Sequence, residues 1–380
     1  MKNTEMKFLT YYNVFKMLQD NCNLTRRDIQ KNALLSWGTV SSIVNDLLSF
    51  GMIKEKESDV IVSGVRPKIL EINDTNNFVV GININNEDLT IVLTDFSYRI
   101  KSSYSTKPKN FNKDDVLKYL FKVLDKLFSE YKIYFICISM SNQINREMGV
   151  SIAIPSIEGW ENVPIVDIMQ KRYNVPTSIQ HDPDCILSNQ KHTDRNNKRN
   201  CVLLRIGEGI GISAMINNKI YISSPDSGIE IEHSIMVPNG NQCKCGKKGC
   251  YGAYCSLYSL RNKLENKLKR KITNDEIKEI VNSSEDKEIK EIIDSFIKNI
   301  AIMCYNILTL YNPQVLYLEG IFDEIDRDFK AKLTKYIDEL YVDRKCQLSF
   351  INFEKENSPV GAIISSRADW LKYALSKIIN

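Results

Sequence analysis

The chain has 380 residues, of which 43% are apolar and 26% are charged, and its formal net charge is +4. This length allows two or three domains, and so small a net charge does not by itself indicate a polyanionic partner. We expect no membrane span, because no apolar run has the required length. The ten cysteines lie in a long chain without an N-terminal signal-peptide core, so we expect a cytoplasmic protein with reduced thiols.

The first 72 residues predict a winged helix-turn-helix. Apolar residues recur at helical spacing in three stretches, and a basic hairpin follows them. The predicted elements are a helix over residues 8–20, a second over 23–33, a third between the break at 34–36 and Gly51, and strands over 52–56 and 69–72. This pattern is typical of a DNA-binding domain, which we place at residues 1–72.

The exposed face of the third helix is predicted to read a DNA major groove, because it carries small polar side chains and one aromatic ring. The predicted contacts to bases are Ser36, Trp37, Thr39, Ser41, Ser42 and Asn45. The predicted contacts to phosphates are Arg26, Arg27, Arg66 and Lys68. The alternative is a solvated helix face in a protein-interaction module.

Charge in this region is nearly balanced, with ten Lys and Arg against eight Asp and Glu in residues 1–72. Phosphate contacts alone should therefore give modest affinity for a double-stranded DNA operator. We expect at least a homodimer, since paired heads match two-fold operators.

A polar linker is predicted at residues 73–77, and residues 78–380 form the remaining domain. Strands and helices alternate there in two similar halves, which indicates a two-lobed α/β body. The predicted strands are 78–84, 89–95, 134–140, 202–206, 211–216 and 315–318, and the predicted helices are 116–131, those within 257–310, and 359–374.

One short region carries a candidate metal site. Three thiols and one imidazole are a common ligand set for a structural Zn²⁺, and the glycines between the cysteines permit tight turns. The predicted ligands are His233, Cys243, Cys245 and Cys250. Cys255 lies close enough in sequence to compete with Cys243, and the alternative to metal binding is a set of ordinary reduced cysteines.

Several ordered segments resemble the ROK family of repressors, open reading frames and kinases, from about residue 8 to the C-terminus. The matching segments are Ser63-Gly64-Val65-Arg66-Pro67, Gly159-Trp160-Glu161-Asn162-Val163-Pro164, Gly207-Glu208-Gly209-Ile210-Gly211, Glu230-Ile231-Glu232-His233 with the Cys243 to Cys250 loop, and Asn312-Pro313-Gln314-Val315. The resemblance implies a two-lobed actin-like ATPase body of the ROK sugar-kinase type after the winged head, with a sugar in the cleft between lobes. Within the family, the head looks most similar to repressors that respond to xylose.

The resemblance also implies eroded nucleotide loops. Family kinases carry Asp-x-Gly-Gly-Thr in the first phosphate loop, where this chain has Asn83-Ile84-Asn85-Asn86-Glu87. In the adenosine loop, Glu319-Gly320 replaces a Gly-Gly pair. Bulk and negative charge at these positions oppose nucleotide binding, so we expect no enzyme and no catalytic residues. The alternative is an ATP-dependent sugar kinase with a regulatory DNA-binding head.

The resemblance further implies that Asn162, Asp182, Glu230 and His233 contact a ligand. Trp160 either covers the ligand cleft together with Asn162 or packs in the core. Four departures alter that site, namely His181 for Asn, Glu232 for Gly, Gly252 for Glu, and Ser141-Asn142 for Pro-Gly. We expect a transcriptional regulator, a repressor, whose operator affinity changes when a sugar, sugar phosphate or related compound binds. A ligand-independent DNA-binding scaffold is a third hypothesis.

Overall fold

The computed structural model describes residues 2–21, 23–57, 66–85, 88–107, 110–194, 198–223, 228–320, 328–341 and 345–379. The chain divides into two compact units. Unit 1 comprises Met1–Cys185 and Ser358–Asn380, and unit 2 comprises Ile186–Asn357.

The head of unit 1 is a winged helix-turn-helix with a three-stranded sheet in the order β1-β3-β2. Its elements are α1 (Lys2–Asp20), β1 (Leu24–Thr25), α2 (Arg26–Ala33), α3 (Trp37–Ser49), β2 (Ile53–Glu57) and β3 (Lys68–Ile72). Strands β2 and β3 pair antiparallel as the predicted hairpin. The hairpin tip, with the Ser63-Gly64-Val65 part of the predicted motif, lies outside the described residues.

Side-chain caps begin both helices of the helix-turn-helix. Thr25 and Asp28 form a reciprocal capping box, in which the Thr25 amide donates to the Asp28 carboxylate over 2.8 Å. Ser36 caps α3 by accepting from the amide of Thr39 over 3.1 Å. Each such cap stabilises a helix by about 1 kcal/mol. Ser36, predicted as a base contact, therefore also has a structural role.

The body of unit 1 contains a five-stranded sheet in the order β11-β7-β4-β5-β6 and a three-stranded sheet in the order β10-β9-β8. Its elements are β4 (Phe78–Ile84), β5 (Leu89–Asp95), β6 (Ile100–Thr106), α4 (Lys113–Glu130), β7 (Ile133–Met140), β8 (Ile144–Asn145), β9 (Val150–Ala153), β10 (Glu161–Val163), α5 (Ile165–Tyr173), β11 (Thr177–His181) and the start of α6 (Asp182–Asp194). Strands β4, β5 and β7 are buried along their whole length, because the sheet is covered on both faces.

Unit 2 contains a second five-stranded sheet, in the order β14-β13-β12-β15-β16. Its elements are β12 (Cys201–Ile206), β13 (Ile210–Ile216), β14 (Lys219–Ile220), a 3₁₀ turn (Ile231–His233), α7 (Gly252–Cys255), α8 (Leu257–Leu268), α9 (Asn274–Ser283), α10 (Lys287–Tyr311), β15 (Val315–Gly320), α11 (Phe329–Leu340) and β16 (Gln347–Ile351).

The two five-stranded sheets have the same topology. Counted along the chain, the first strand of each sheet pairs antiparallel with the second strand and parallel with the fourth. The third strand pairs antiparallel with the second, and the fifth strand pairs parallel with the fourth. Two similar halves were predicted from the alternation of elements, and this repeat confirms the α/β fold class.

Helix α10 corrects the expectation that no apolar run is long enough for a membrane span. By length and composition it is the one described helix that could cross a bilayer. However, its apolar side chains form much of the core of unit 2, with Phe296, Ile300 and Ile307 among those that are buried. A buried core helix passes the same test of length and hydropathy as a membrane span.

The predicted final helix is wrong in one respect, since it is two helices, α12 (Asn357–Ser365) and α13 (Arg367–Ile379). The break falls at Ser366, whose buried hydroxyl lies 2.8 Å from the hydroxyl of Ser178. The break leaves α13 packed against α1, so the C-terminal helix contacts the head.

The head and the body of unit 1 share one hydrophobic core, to which Phe15, Phe96 and Trp370 contribute. The connection predicted as a linker is anchored. Asn77 is fully buried and donates to the carbonyl of Gly51 over 2.6 Å. Residues 74–76, which precede Asn77, form a turn. The connection between head and body is therefore a short structured link.

Candidate functional sites

The predicted recognition face of α3 is largely exposed. Trp37 is the first residue of the helix and is 49% exposed. Thr39, Ser42 and Asn45 are exposed along the helix, and Ser41 is half-buried. The opposite face is buried in the head core and consists of Val40, Ile43, Val44 and Leu47.

Two predicted phosphate contacts are held by Glu55, which the sequence reasoning missed. Arg26 Nη2 lies 2.9 Å from one Glu55 oxygen, and Lys68 Nζ lies 3.0 Å from the other. Arg26 Nη2 also donates to Asn45 Oδ1 over 3.0 Å. Hydrogen bonds from Lys68 and then Arg26 lower the pKa of Glu55, so its charge offsets part of the basic surface. No local pattern reveals this pairing, because the three residues are far apart in sequence.

The remaining predicted phosphate contacts, Arg27 and Arg66, are exposed. Leu34 was not predicted as a contact, yet it is 91% exposed at the turn between α2 and α3, in a left-handed conformation with φ 53°. An exposed apolar side chain at this turn suits contact with a thymine methyl group.

The four predicted metal ligands converge in unit 2. The ligand atoms of His233, Cys243, Cys245 and Cys250 all lie within 4.8 Å of one another. Cys243 Sγ is 3.7 Å from His233 Nδ1, and the sulfurs of Cys245 and Cys250 are also 3.7 Å apart. Bonds of about 2.3 Å to sulfur in a tetrahedral arrangement require spacings of this size. The cluster can therefore hold a metal ion, and Cys255 is not part of it.

Backbone geometry brings the three sulfurs together. The amide of Cys243 donates to the carbonyl of Lys247 over 2.8 Å, which closes a tight turn. Gly246 and Gly249 have φ of +87° and +86°, and a Cβ at Gly249 would collide with the carbonyl oxygen of Val237. Glycine is therefore required at both positions.

The thiols differ in their readiness to ionise. A hydrogen bond from the backbone amide of Lys247 lowers the pKa of Cys245. Burial, and then the neighbouring sulfurs of Cys245 and Cys243, raise the pKa of Cys250 to about 12. A bound cation would reverse that effect, because cysteine binds metals as the thiolate.

Asp182 lies in a buried polar network of unit 1, where it is 2% exposed. It accepts a hydrogen bond from Ser358 and one from Ser139, the latter over 3.4 Å. Ser358 is also 3.4 Å from Asn83 Oδ1. The network thus links Asp182, a predicted ligand contact, to the first phosphate loop.

The described part of that phosphate loop is filled by its own side chains. Asn83 Nδ2 donates to Asp88 Oδ1 over 3.1 Å, and the amide of Asp88 donates to Asn85 Oδ1 over 2.7 Å. Asn83, Asn85 and Asp88 are all buried. Asn86 and Glu87, which the sequence reasoning also used, lie outside the described residues.

In the adenosine loop, Glu319 is 1% exposed and pairs with Arg205 Nε over 3.2 Å. Arg205 in turn lies over the ring of Phe353, 5.5 Å from its centroid. The glutamate that replaces glycine is therefore fixed within the structure of unit 2.

The four predicted ligand contacts belong to different units, Asn162 and Asp182 to unit 1 and Glu230 and His233 to unit 2. Asn162 and Glu230 are exposed. Trp160 is 1% exposed and donates from Nε1 to Ser151 over 2.9 Å, so it is a core residue and not a cap.

His181, which replaces asparagine, is buried, and burial lowers the pKa of its imidazole. The next acidic residue along α6, Asp184, forms an ion pair with Arg146 over 2.6 Å. The sequence reasoning did not include Asp184 or Arg146, and only the fold brings them together. Burial therefore favours the neutral form of the imidazole that precedes Asp182 in unit 1.

The fold and these sites define a class of protein: a winged helix-turn-helix joined to a body built from two copies of one sheet topology. The ROK family model matches residues 79–365, and the chain belongs to the ROK family. It is similar to the xylose repressor of Caldicellulosiruptor bescii, at 24% identity over 355 residues, which cover 88% of this chain and 89% of the relative.

Solved structures support the same fold. A ROK family transcriptional regulator, described as a homologue of the E. coli MLC protein, has a TM-score of 0.81 and 18% identity, covering 98% of this chain and 99% of that one. A ROK hexokinase from Thermus thermophilus has a TM-score of 0.67 and 17% identity, covering 77% of this chain and 98% of that one. The match to the hexokinase covers less of this chain than the match to the regulator.

Proposed function

We propose that this protein is a DNA-binding transcriptional repressor whose affinity for its operator is controlled by a sugar. The observation that carries the proposal is the exposed face of α3, from Trp37 to Asn45, on a head that shares its core with a ROK body. Similarity to a repressor over most of both chains supports this choice. The proposal includes a cytoplasmic location and a homodimer or larger oligomer on double-stranded DNA.

The proposed base contacts are the six predicted residues on and before α3. The exposed Arg27 and Arg66 are proposed phosphate contacts. Arg26 and Lys68 are proposed to bind phosphate in competition with Glu55, to which both are paired. Such competition reduces non-specific affinity, which depends on phosphate contacts.

The proposed metal is a structural Zn²⁺ held by His233, Cys243, Cys245 and Cys250. Soft sulfur and nitrogen donors at tetrahedral spacing support zinc over Mg²⁺ or Ca²⁺, which prefer oxygen. Four protein ligands would leave no position for substrate, so the ion would fix the loop and supply no chemistry.

We further propose that the protein does not transfer phosphate. Phosphoryl transfer needs open backbone around the nucleotide phosphates and a carboxylate that can accept a proton. The polar network of Asn83, Asn85 and Asp88 fills the described part of the first loop, and Glu319 with Arg205 fixes the second. In this proposal Asp182 in unit 1, and Glu230 and His233 in unit 2, contact sugar hydroxyls, with Asn162 as a further contact.

A thermal-shift screen of the metal-loaded protein tests the proposal. Pentoses, hexoses, amino sugars, their phosphates and ATP are added singly, since preferential binding to the folded state raises the melting temperature. We expect one sugar to raise it and ATP to leave it unchanged. Any stabilising sugar is then tested for release of DNA selected by the protein from a random pool. Stabilisation by ATP together with sugar-dependent ADP release would support the kinase alternative instead.

A further inference from the structure

A carboxylate lies inside the glycine loop of unit 2. Glu232 Oε2 accepts a hydrogen bond from the backbone amide of Ile210, at a distance of 3.3 Å. The loop, residues 207–211, connects β12 to β13 and includes the start of β13. Glu232 belongs to the 3₁₀ turn that contains His233, one of the four candidate metal ligands. A side chain from outside the loop therefore accepts the hydrogen bond of one backbone N–H group of the loop.

Two glycines make room for this carboxylate. A Cβ at Gly209 would lie 2.8 Å from Glu232 Oε2, and a Cβ at Gly252 would lie 2.7 Å from Glu232 Oε1. Neither glycine has a positive φ, so the backbone alone does not require glycine there. The absence of a side chain at Gly209 and Gly252 is thus explained by Glu232, whose carboxylate fills the space that a side chain would need.

The loop is a place where an external anion would otherwise bind. Successive backbone amides in glycine-rich turns favour negatively charged oxygens, phosphate above all. Glu232 supplies such an oxygen from within the chain. A phosphate at the Ile210 amide would have to displace the carboxylate or share its position, and like charges at that distance repel.

A second carboxylate strengthens this exclusion. Glu208, also in the loop, accepts from Arg261 Nη2 over 2.8 Å and from Asn274 Nδ2 over 2.7 Å. Arg261, a cation that could otherwise attract phosphate at the loop, is therefore already paired.

We propose that Glu232 is an internal anion that closes the glycine loop to phosphate groups, and that it restricts the ligand of this protein to sugars without a phosphate. Glu232 is then a residue that determines specificity. The restriction to sugars rests on the proposed function, whereas closure of the loop to anions does not depend on it.

Calorimetric titration with inorganic pyrophosphate tests the closure, using the full-length, metal-loaded protein. Glu232→Gly removes the carboxylate, and Glu232→Gln removes the charge but keeps the bulk. Glu285→Gln is the matched control, because Glu285 is an exposed residue of unit 2 whose ion pair with Lys290 lies at the surface. We expect the wild type and the control to bind too weakly to reach saturation. Glu232→Gly should saturate, at a concentration at least about tenfold below the highest one tested on the wild type, and Glu232→Gln should show a smaller gain.

Equal pyrophosphate binding by wild type and Glu232→Gly would overturn the closure. So would no gain in a Glu232→Gly protein that keeps the wild-type melting temperature and metal content. If the glycine variant does not fold, the glutamine variant decides the same question, since it retains the packing against Gly209 and Gly252.

The ligand class is tested with pairs of each sugar and its phosphate in the thermal-shift assay. We expect a sugar that stabilises the wild type to lose this effect when phosphorylated, and to recover part of it with Glu232→Gly. Stabilisation of the wild type by the phosphorylated sugar would overturn the restriction. If no sugar of any kind binds, the proposed function fails, while the pyrophosphate titration still decides whether the loop is closed.

Discussion

The ring of Phe15, on the first helix of the head, packs edge-on against the ring of Phe96 in the body, with centroids 6.1 Å apart and planes at 84°. Phe96 also contacts Trp370 of the C-terminal helix, with ring centroids 4.8 Å apart. Edge-to-face pairs of this kind add about 0.5–1.5 kcal/mol beyond the burial of apolar area. The head is therefore held to the body of unit 1 by an aromatic cluster as well as by the chain connection.

Replacing Phe15 by alanine should destabilise head and body together. Loss of a buried aromatic side chain costs about 3–5 kcal/mol, and Phe15 is fully buried. Thermal unfolding, followed by circular dichroism and by tryptophan fluorescence, should show one transition shifted to lower temperature. Phe50→Ala is the control, because Phe50 is 43% exposed. A separate early transition for the head alone would contradict a shared core.

Replacing Asn45 by alanine should weaken specific DNA binding by about tenfold or more. A bidentate amide contact to a base discriminates by about 1–3 kcal/mol. Gel-shift titrations on DNA selected by the wild-type protein measure the effect, and Arg27→Ala is compared in parallel. Arg27→Ala should weaken binding to all sequences alike and reduce the salt dependence. Equal loss on selected and random DNA for Asn45→Ala would argue against base contact.

Replacing Glu55 by glutamine should strengthen DNA binding. The change releases Arg26 and Lys68 from their ion pairs, and each cation that then reaches a phosphate steepens the salt dependence by about 0.9. Affinity for non-specific DNA is measured between low and moderate salt. Glu57→Gln removes the same charge from an exposed position on the same strand and serves as the control. An unchanged salt slope for Glu55→Gln would show that the two cations do not touch DNA.

Replacing Cys245 by alanine should lower bound zinc and the melting temperature together, because metal binding is coupled to folding. Elemental analysis and thermal unfolding are the measurements. Cys346→Ala is the control, since Cys346 lies outside the cluster. Full zinc content with an unchanged melting temperature in Cys245→Ala would remove Cys245 from the ligand set.

Replacing Asp182 by asparagine should abolish the response to sugar and leave DNA binding intact. The amide oxygen can still accept from Ser358 and Ser139, so the buried network loses little stability, whereas a second acceptor for sugar hydroxyls is gone. Sugar-dependent release of DNA is measured beside the control Asp167→Asn, whose carboxylate is exposed. Normal release by Asp182→Asn would exclude Asp182 as a ligand contact.

Much of the fold could be predicted because its signals are local. Long apolar runs gave the bounds of Phe78–Ile84 and Leu89–Asp95 as the structure has them. The four candidate metal ligands were predicted from their spacing in one short region, and the structure brings them together. Weakly patterned elements such as α5 were missed. The last helix was predicted unbroken, and the contact that Ser366 makes at the break is with Ser178, a residue distant in sequence.

The site was harder to predict where chemistry depends on pairs distant in sequence. Glu232 and Gly252 were noted from the sequence as two separate departures, and only their contact in space makes them one feature. The pairing of Arg26 and Lys68 with Glu55 is of the same kind. For Trp160 the sequence left two alternatives open, a cap on the ligand site or a core residue, and its burial decides for the core.

The buried position of Asn77 has a practical consequence for protein engineering. A chimera made by cutting within residues 74–76 would expose Phe15 and its neighbours on one fragment and Phe96 with Trp370 on the other. Transplanting only the helix-turn-helix of another regulator onto this body would therefore tend to produce aggregation instead of a new operator preference. A graft that retains α1 and exchanges only the face of α3 keeps the aromatic cluster closed, and it is the exchange that this architecture permits.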